Sequence, residues 1–266
     1  MRKRFLALAS ILVAACGGGG SSTPSTPSPA PTIPISSACA ALGSTVSSSS
    51  STAIVNGAEC PVTNSSVVLL NMKDRDGLQA GSCTGTVIAS RAILTAAHCL
   101  PSTTASIRVF LGVGPELDAL SFTPHPGYTN GTSFDVGVVL MREDIPRTPV
   151  PLLLSRDTRA GETAILTGWG KDATGVTSTL RAGVATITAV TSLTLQTAFT
   201  SNFSSVCQGD SGGPILIQEG GAWAIAGVIS ANSTLACSFG DNFYANIRNA
   251  TISSFILERV PDAARR

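Results

Sequence analysis

The chain has 266 residues, of which 43% are hydrophobic, 12% are charged and 5% are aromatic, and its formal net charge is +1. This length holds one domain of about 200 residues with a leader, or two small domains. Three of the 17 basic residues occupy positions 2–4, whereas all 16 acidic residues follow position 54, so the body has no basic patch of the kind that binds nucleic acid. Only two histidines are present, which excludes a metal site built on several of them.

Residues 1–16 have the pattern of an export signal. The basic stretch Arg2-Lys3-Arg4 precedes an apolar run, 5–13, that is too short for a permanent membrane helix. The sequence that ends at Cys16 resembles a bacterial lipobox, in which the cysteine is lipidated and anchors the mature protein to a membrane. The alternative is a plain signal peptide that is cleaved elsewhere, with loss of Cys16.

Residues 17–53 are expected to form a disordered linker and propeptide. Gly, Ser, Thr and Pro make up nearly all of positions 17–34, and such a composition buries too little apolar surface to offset its ordering entropy. Gly17, directly after the cysteine, resembles the pattern that lets lipoproteins leave the inner membrane. This favours an exported lipoprotein at the outer membrane, facing either the periplasm or the cell surface.

The cysteine count agrees with export. The chain has seven cysteines, and assigning Cys16 to lipid leaves an even number that can form disulfides in an oxidising compartment. Counting alone allows about fifteen pairings of the other six. No two cysteines have the Cys-x₂₋₄-Cys spacing of a zinc site.

From Ile54 onward the sequence predicts a single all-β domain, residues 54–266. Short β-rich runs alternate with clusters of Gly, Asn, Asp, Pro or Ser, which is typical of a sandwich or barrel rather than of βαβ units. The predicted strands are 66–71, 84–88, 92–95, 106–111, 136–141, 162–167, 183–188, 214–218 and 223–230.

The last predicted element is a terminal helix. Apolar residues recur at i, i+3, i+4 and i+8, which places them on one helical face: Ile252, Phe255, Ile256 and Val260. Asn249 and Thr251 are both candidate N-caps, and Pro261 ends the pattern. We expect this helix to pack on the body without a role in the chemistry.

Three segments of the body carry candidate chemistry. Thr95-Ala96-Ala97-His98-Cys99 places an imidazole after an apolar strand, and Phe134-Asp135-Val136-Gly137 places a carboxylate before another. In Cys207-Gln208-Gly209-Asp210-Ser211-Gly212-Gly213-Pro214, glycines on both sides of the serine allow a tight turn that exposes the hydroxyl and gathers N–H groups. A serine hydroxyl needs a base within hydrogen-bond reach, and the base needs a group that fixes its tautomer. We therefore interpret Ser211 as nucleophile, His98 as general base and Asp135 as orienting carboxylate.

Other chemistry is less well supported. His125 is the only rival base, and its proline-flanked context indicates a surface turn. Between His98 and Asp135 the only acids are Glu116 and Asp118, which we interpret as solvated turn charges rather than calcium ligands. We therefore expect no metal and no other cofactor.

Taken in the order His98, Asp135 and Ser211, the three segments resemble the chymotrypsin/trypsin-like serine protease family. Further stretches that match the family are Ile54-Val55-Asn56-Gly57, Cys83-Thr84-Gly85-Thr86-Val87-Ile88, His125-Pro126-Gly127-Tyr128 and Gly168-Trp169-Gly170. The resemblance extends from Ile54 to the terminal helix. It implies an all-β fold of two six-stranded antiparallel β-barrels with a short C-terminal helix and a site in the cleft between the barrels.

The same resemblance implies a serine endopeptidase that acts on protein or peptide substrates through an acyl-enzyme. The backbone N–H groups of Gly209 and Ser211 would form the oxyanion hole, and Ser230 would donate to Asp135. The alternative function is a noncatalytic binding lipoprotein on a protease-like scaffold, because fold does not guarantee activity. Such a protein usually lacks a triad member, whereas this sequence has all three.

The resemblance also implies activation by cleavage. A buried, unpaired carboxylate at Asp210 would be costly, and cleavage between Ala53 and Ile54 would free an ammonium that pairs with it and orders the oxyanion loop. The alternative is an uncleaved chain in which Ile54 begins a strand. Because Ser51-Thr52-Ala53 has no Lys or Arg, we expect the activator to prefer small residues and to be another protease or the protein itself in trans.

Disulfide pairing follows from the same family positions. Cys83 matches a partner of Cys99, and Cys207 matches a partner of Cys237. The two cysteines left over are Cys39 and Cys60, and a bond between them would hold the propeptide on the domain after cleavage.

The substrate pocket departs from the usual family pattern. Ser205, six residues before the nucleophile, would form its floor and offers no counter-charge to Arg or Lys. Asn232, in Ser230-Ala231-Asn232, and Asn242 each stand where a glycine is common. We expect a short, polar pocket that favours Ala, Ser, Thr or Val.

Overall fold

The structure is a computed structural model that describes residues 35–42, 54–171, 179–200, 202–234 and 236–266. The predicted signal peptide with Cys16, and the predicted cleavage bond after Ala53, lie outside these residues. None of the described helices has the length and apolar character needed to span a membrane.

The first elements are the helix α1 (Ile35–Ala40) and the short strand β1 (Ala58–Glu59). A closed antiparallel barrel follows, with the strands ordered β2-β3-β4-β7-β6-β5 and the ring completed where β5 pairs with β2. Its strands are β2 (Val67–Lys73), β3 (Gln79–Ala89), β4 (Ala92–Thr95), β5 (Ser106–Phe110), β6 (Leu117–Pro124) and β7 (Gly137–Met141).

The second barrel is also antiparallel. Its strands run in the order β9-β10-β13-β12-β11-β8, and pairing of β8 with β9 closes the ring, while β1 adds to β9 from outside. These strands are β8 (Thr163–Gly168), β9 (Arg181–Val190), β10 (Thr194–Ala198), β11 (Pro214–Glu219), β12 (Ala222–Asn232) and β13 (Asp241–Asn246). The predicted fold of two six-stranded barrels is confirmed.

Apolar side chains fill both barrels and the boundary between them. β4 is buried along its whole length, and one continuous core cluster joins side chains of the first barrel, such as Ile88, to side chains of the second, such as Leu216. Burial of each such side chain contributes about 1.5–3 kcal/mol. Trp169 fixes the junction, because its ring N–H donates to the Val67 carbonyl at 3.1 Å and its backbone N–H donates to Thr84 Oγ1 at 3.0 Å.

The predicted terminal helix is confirmed as α2 (Ala250–Arg259). The Asn249 side chain is the N-cap and accepts hydrogen bonds from two backbone N–H groups of the first turn, and the apolar face packs on the body. Beyond the helix, the N–H of Ala264 donates to the Ile88 carbonyl at 3.0 Å and its carbonyl accepts from the N–H of Leu152 at 2.8 Å. The tail thereby ties β3 to the connection between the barrels.

The prediction of disorder is wrong for residues 35–42, which form α1 and a following turn. This helix packs against β9 and β1, and a disulfide joins Cys39 to Cys60. Ala38, Cys39 and Leu42 are each at most 3% exposed. The physical reason is the change of composition after position 34, because these apolar residues can be buried where the preceding Gly/Ser/Pro run cannot.

Candidate active site

The pairing of β4 with β7 brings the histidine and the aspartate together. Thr95 lies opposite Gly137 in that pairing, the chain leaves β4 into a 3₁₀ turn, Ala97–Cys99, and Asp135 comes just before β7. His98 donates its backbone N–H to Asp135 Oδ1 at 2.9 Å, and its Nδ1 lies 2.7 Å from Asp135 Oδ2. Because Nδ1 is held by the carboxylate, Nε2 is the ring nitrogen available for proton transfer.

Asp135 is fully buried, so its charge needs several donors. The hydroxyl of Ser230, from β12 of the second barrel, supplies another hydrogen bond, to Asp135 Oδ2 at 2.5 Å. The predicted contact between Ser230 and Asp135 is therefore present. It links the two barrels through the site.

Ser211 lies on the backbone turn that faces this pair. Its carbonyl accepts from the N–H of Thr84 at 2.8 Å and lies 3.7 Å from Cys99 Sγ. Gly212, with φ +83°, is so close to β4 that a Cβ there would come within 2.1 Å of Thr95 Oγ1. Among the described residues no hydrogen bond joins the Ser211 hydroxyl to His98, which is common in the absence of substrate.

The predicted oxyanion groups lie on the same turn. Gly209 has φ +96°, and its carbonyl accepts from the hydroxyl of Thr84 at 2.8 Å. Within the described part of the chain, the backbone N–H groups of Gly209 and Ser211 have no acceptor. Both are therefore available to a developing oxyanion.

Asp210 is 1% exposed and lies in a cradle of backbone groups. Its Oδ1 accepts from the N–H of Gly170 and its Oδ2 from the N–H of Cys207, each at 2.8 Å. Burial raises the pKa of Asp210 to about 7, although the two backbone N–H groups and the positive charge of Arg181 act in the opposite direction. A Cβ on Gly168 would come within 2.2 Å of Asp210 Oδ1, so the cradle accepts only glycine there.

Ile54 is also buried, at 1% exposure. It lies near the Gly183 backbone, since a Cβ built there would be 3.1 Å from Ile54 Cγ2. Its nitrogen belongs to an unbroken peptide and carries no charge. The predicted pair of Ile54 with Asp210 is thus not formed in this uncleaved chain.

Sequence reasoning missed Arg181, a buried guanidinium beside Asp210. It is 2% exposed, and its Nη1 donates to the carbonyl of Gly170 at 3.3 Å, while its Nη2 lies 3.8 Å from Glu59 Oε1. One residue, Gly170, therefore donates its N–H to Asp210 and accepts at its carbonyl from Arg181. The available signal was an arginine at the start of an apolar strand, Leu180-Arg181-Ala182-Gly183-Val184.

Beside Ser211 lies a cavity of about 170 Å³. Ser230, Asn232 and the Cys207–Cys237 disulfide are on its wall, whereas Ser205 and Asn242 are fully buried. The Ser205 hydroxyl donates to Asn242 Oδ1 at 3.0 Å, and Asn232 Nδ2 donates to the same oxygen at 2.9 Å. The structure thus joins Ser205, Asn232 and Asn242 by hydrogen bonds, but Ser205 and Asn242 are not among the residues that line the cavity.

A further layer of this network was not anticipated. Asn242 Nδ2 donates to Thr197 Oγ1 at 3.2 Å, and that hydroxyl lies 2.8 Å from the Tyr244 hydroxyl. All three side chains are fully buried, and burial is the main cause that raises the pKa of Tyr244. β10 and β13, which carry these residues, were not predicted as strands.

The interpretation of His125 as part of a surface turn is wrong. The residue is 4% exposed and lies between the rings of Phe134 and Phe255. Burial is also the main reason that its pKa lies below the ordinary value. The proline-flanked turn is present, but the rings of Phe134 and Phe255, which come later in the sequence, cover it.

The remaining predicted groups are placed as follows. Disulfides join Cys83 to Cys99, Cys207 to Cys237 and Cys39 to Cys60. Cys83, His98 and Cys99 place potential metal-ligating atoms within 4.8 Å of one another, but both sulfurs are in a disulfide and are not thiolates. Glu116 and Asp118 face the Arg108 guanidinium, with Nε–O distances of 3.7 and 3.3 Å.

The closed barrels and the His98–Asp135–Ser230 hydrogen bonds define a protein of chymotrypsin-like fold with a serine on the turn beside the histidine. The family model described as Trypsin matches residues 54–255. The chain therefore belongs to the trypsin family.

Curated relatives agree with this family. Vitamin K-dependent protein C of Mus musculus is 27% identical over 186 residues, which are 56% of this chain and 40% of that protein. CLIP domain-containing serine protease B4 of Anopheles gambiae is 27% identical over 208 residues, 61% of this chain and 58% of the relative. Trypsin alpha-4 of Lucilia cuprina is 30% identical over 192 residues, 62% and 73% of the two chains.

The chain spans less than two thirds of the first two of these relatives. All three are animal proteins, so they support the trypsin family and not the bacterial lipoprotein branch of the prediction.

Proposed function

We propose that the chain is a serine endopeptidase that hydrolyses peptide bonds of protein or peptide substrates. The observation that carries this proposal is the hydrogen-bonded series His98–Asp135–Ser230, which lies where the backbone of Ser211 packs against the histidine loop. Membership of the trypsin family supports it.

The chemistry would proceed in two halves. Ser211 Oγ attacks the scissile carbonyl carbon while His98 Nε2 takes the hydroxyl proton, and the tetrahedral oxyanion accepts hydrogen bonds from the N–H groups of Gly209 and Ser211. His98 then gives the proton to the leaving amine, which departs and leaves an acyl-enzyme. Water, deprotonated by His98, attacks the acyl carbon. The bond between that carbon and Ser211 Oγ then breaks, Oγ takes the proton back from His98, and the carboxylic acid product leaves. Each hydrogen-bond donor of an oxyanion hole typically raises the rate by a factor of about 10²–10³.

Hydrolysis of an unstructured protein substrate tests the assignment. His98→Ala and Ser211→Ala should each lose nearly all activity, because either change removes the base or the nucleophile. Ser254→Ala, on the exposed side of α2, is the matched control and should keep full activity. If His98→Ala keeps most of the activity, the assignment of His98 as base is wrong.

We propose further that the protein is a zymogen activated by cleavage between Ala53 and Ile54. The Asp210 carboxyl group is buried and accepts hydrogen bonds from two backbone N–H groups, and the freed Ile54 ammonium would give its ionised form a directly paired positive charge. The activator would be a protease that prefers small residues, or this protein acting in trans. After reduction, N-terminal sequencing of the chain that carries Ser211 in the active form should begin at Ile54, and any other start of that chain contradicts the ion pair.

The Cys39–Cys60 disulfide makes cleavage and release separate events. After cleavage, residues 35–42 would stay docked on β9 and β1 through this bond. Mass spectrometry of the active form should give a single disulfide-linked species without reductant and two chains with it. Two chains without reductant would show that the propeptide is not retained.

The pocket supports a preference for small residues at P1, the substrate residue on the acyl side of the scissile bond. The Asn232 amide on the wall of the cavity makes it polar, which disfavours an aromatic ring, and among its described lining residues there is no acid to pair with a basic side chain. A peptide library varied at P1 should show preference for Ala, Ser, Thr or Val. Strong preference for Arg or Phe would contradict this proposal.

For localisation we propose an exported bacterial lipoprotein with lipid on Cys16, at the outer membrane, in the periplasm or on the cell surface. The support is the basic and apolar leader and the small residues that end at Cys16. The full-length protein should partition into detergent, and Cys16→Ser should move it to the aqueous phase. Equal partitioning of the two proteins would contradict lipidation.

A further inference from the structure

We propose that His125 and Phe134 form a positioning unit that aims Asp135 at His98. The inference deepens the proposed endopeptidase function and rests on it. The unit adjoins Asp135 through the Phe134 backbone, and among the described residues neither of its side chains makes a hydrogen bond to His98, Asp135 or Ser211.

The backbone at Asp135 is bent in an unusual way. Phe134, a non-glycine residue, has φ +55°, a left-handed conformation that such residues rarely adopt. The N–H of Val136 donates to the Phe134 carbonyl at 2.8 Å, so Asp135 is the central residue of a three-residue turn. The direction of the carboxylate therefore depends on a conformation that Phe134 must be held in by its surroundings.

The surroundings that hold Phe134 are aromatic. Its ring stacks on the His125 ring with centroids 5.0 Å apart and planes 9° from parallel. Phe255 of α2 contacts the same imidazole, with centroids 4.8 Å apart. A Cβ on Gly127 would lie 3.2 Å from the imidazole and 3.3 Å from the Phe134 ring, so the backbone of the turn also closes on the pair.

The imidazole is itself fixed by a hydrogen bond within its own turn. Its Nδ1 accepts from the N–H of Gly127 at 2.9 Å, so Nδ1 carries no proton. The backbone of Thr251, at the start of α2, acts on the ring in the direction that raises its pKa, which is smaller than the effect of burial. A phenylalanine could stack at this position but could not accept from Gly127, which explains the use of histidine.

Charges near the unit are few. Tyr128 is in the same turn, Asp135 follows Phe134, and Arg259 of α2 lies 5.7 Å from the centroid of the Phe255 ring. Burial lowers the pKa of His125, which agrees with a neutral ring that accepts at Nδ1.

The test compares Phe134→Ala and His125→Phe with Leu120→Ala, an exposed apolar residue on β6 of the same barrel. We expect kcat to fall about 10- to 100-fold in Phe134→Ala with KM changed less than about twofold, because misplacement of a positioned group affects the chemical step. His125→Phe should show a smaller fall of the same kind, and Phe134→Tyr, which keeps the stack, should restore activity.

A second readout is independent of activity. In full-length Ser211→Ala protein, the His98 Nδ1 proton, which is hydrogen-bonded to Asp135, should give a low-field proton NMR signal that disappears when Phe134→Ala is added and persists with Leu120→Ala. If the parent never hydrolyses peptides but this signal follows the prediction, the proposed function fails and the positioning role stands. A folded Phe134→Ala protein with unchanged signal and unchanged kcat overturns the inference.

Discussion

The buried carboxylate of Asp210 should make the uncleaved protein less stable as the pH rises. Its pKa is about 7 in the folded chain and 3.8 as an ordinary value, so the folded state keeps the proton where the unfolded state has lost it. A carboxyl group with a raised pKa stabilises the fold fully below the ordinary pKa, and this stabilisation is lost as the pH rises through the folded pKa. The difference between these two pKa values corresponds to about 4 kcal/mol.

The assay is chemical unfolding of Ser211→Ala protein, which cannot cleave itself, from pH 4 to pH 8. Relative to the same protein with Asp210→Asn, the free energy of unfolding should fall by about 4 kcal/mol across this range. Asp262→Asn, an exposed acid, is the matched control and should leave the pH dependence unchanged. Parallel curves for the parent and Asp210→Asn would refute the reasoning.

Cleavage before Ile54 should abolish this decrease in the free energy of unfolding, because the new ammonium favours the ionised Asp210 carboxylate.

The other predictions concern the hydrogen bonds and the pocket of the site. Ser230→Ala should lower kcat about tenfold with little change in KM, because a hydrogen bond to a charged acceptor contributes about 1.5–3 kcal/mol. Equal kcat values for the variant and the parent would contradict the role given to the Ser230–Asp135 hydrogen bond. Because burial lowers the pKa of His125 from its ordinary value of 6.5, the neutral ring stabilises the fold above that pH, and this stabilisation is lost as the pH falls through and below 6.5. The melting temperature of His125→Phe should therefore fall less at acid pH than that of the parent. An identical fall in the two proteins would contradict this effect of His125. Asn232→Gly should widen the pocket. In a panel of peptides, kcat/KM for those with Phe at P1, divided by kcat/KM for those with Ala at P1, should rise at least tenfold. An unchanged ratio would show that Asn232 does not limit the pocket.

Most strands could be predicted because they carry apolar or β-branched residues in short runs. β13 could not, since Asp241, Asn242 and Asn246 disfavour strands. Asn242 is accepted there because its polar atoms are satisfied by Ser205, Asn232 and Thr197. Such compensation depends on tertiary contacts that no local pattern shows.

β6 was missed for another reason. Most of its residues are exposed or partly exposed, so no apolar run marks it. It is a strand because it pairs with β5 and β7 and closes the barrel.

The site divides in the same way. His98, Asp135, Asp210 and Ser211 could be found because each lies in a short motif whose residue types suit its chemistry. Arg181 could not, because it is connected to Asp210 through the backbone N–H and carbonyl of Gly170, and the three residues are distant in the sequence.

Labelling with a fluorophosphonate probe tests most directly whether Ser211 is an activated nucleophile. Protein that has been cleaved before Ile54 should carry one adduct, which peptide mapping places on Ser211, and His98→Ala should abolish it. Absence of an adduct on Ser211 in that folded protein would contradict the account and favour a noncatalytic binding role.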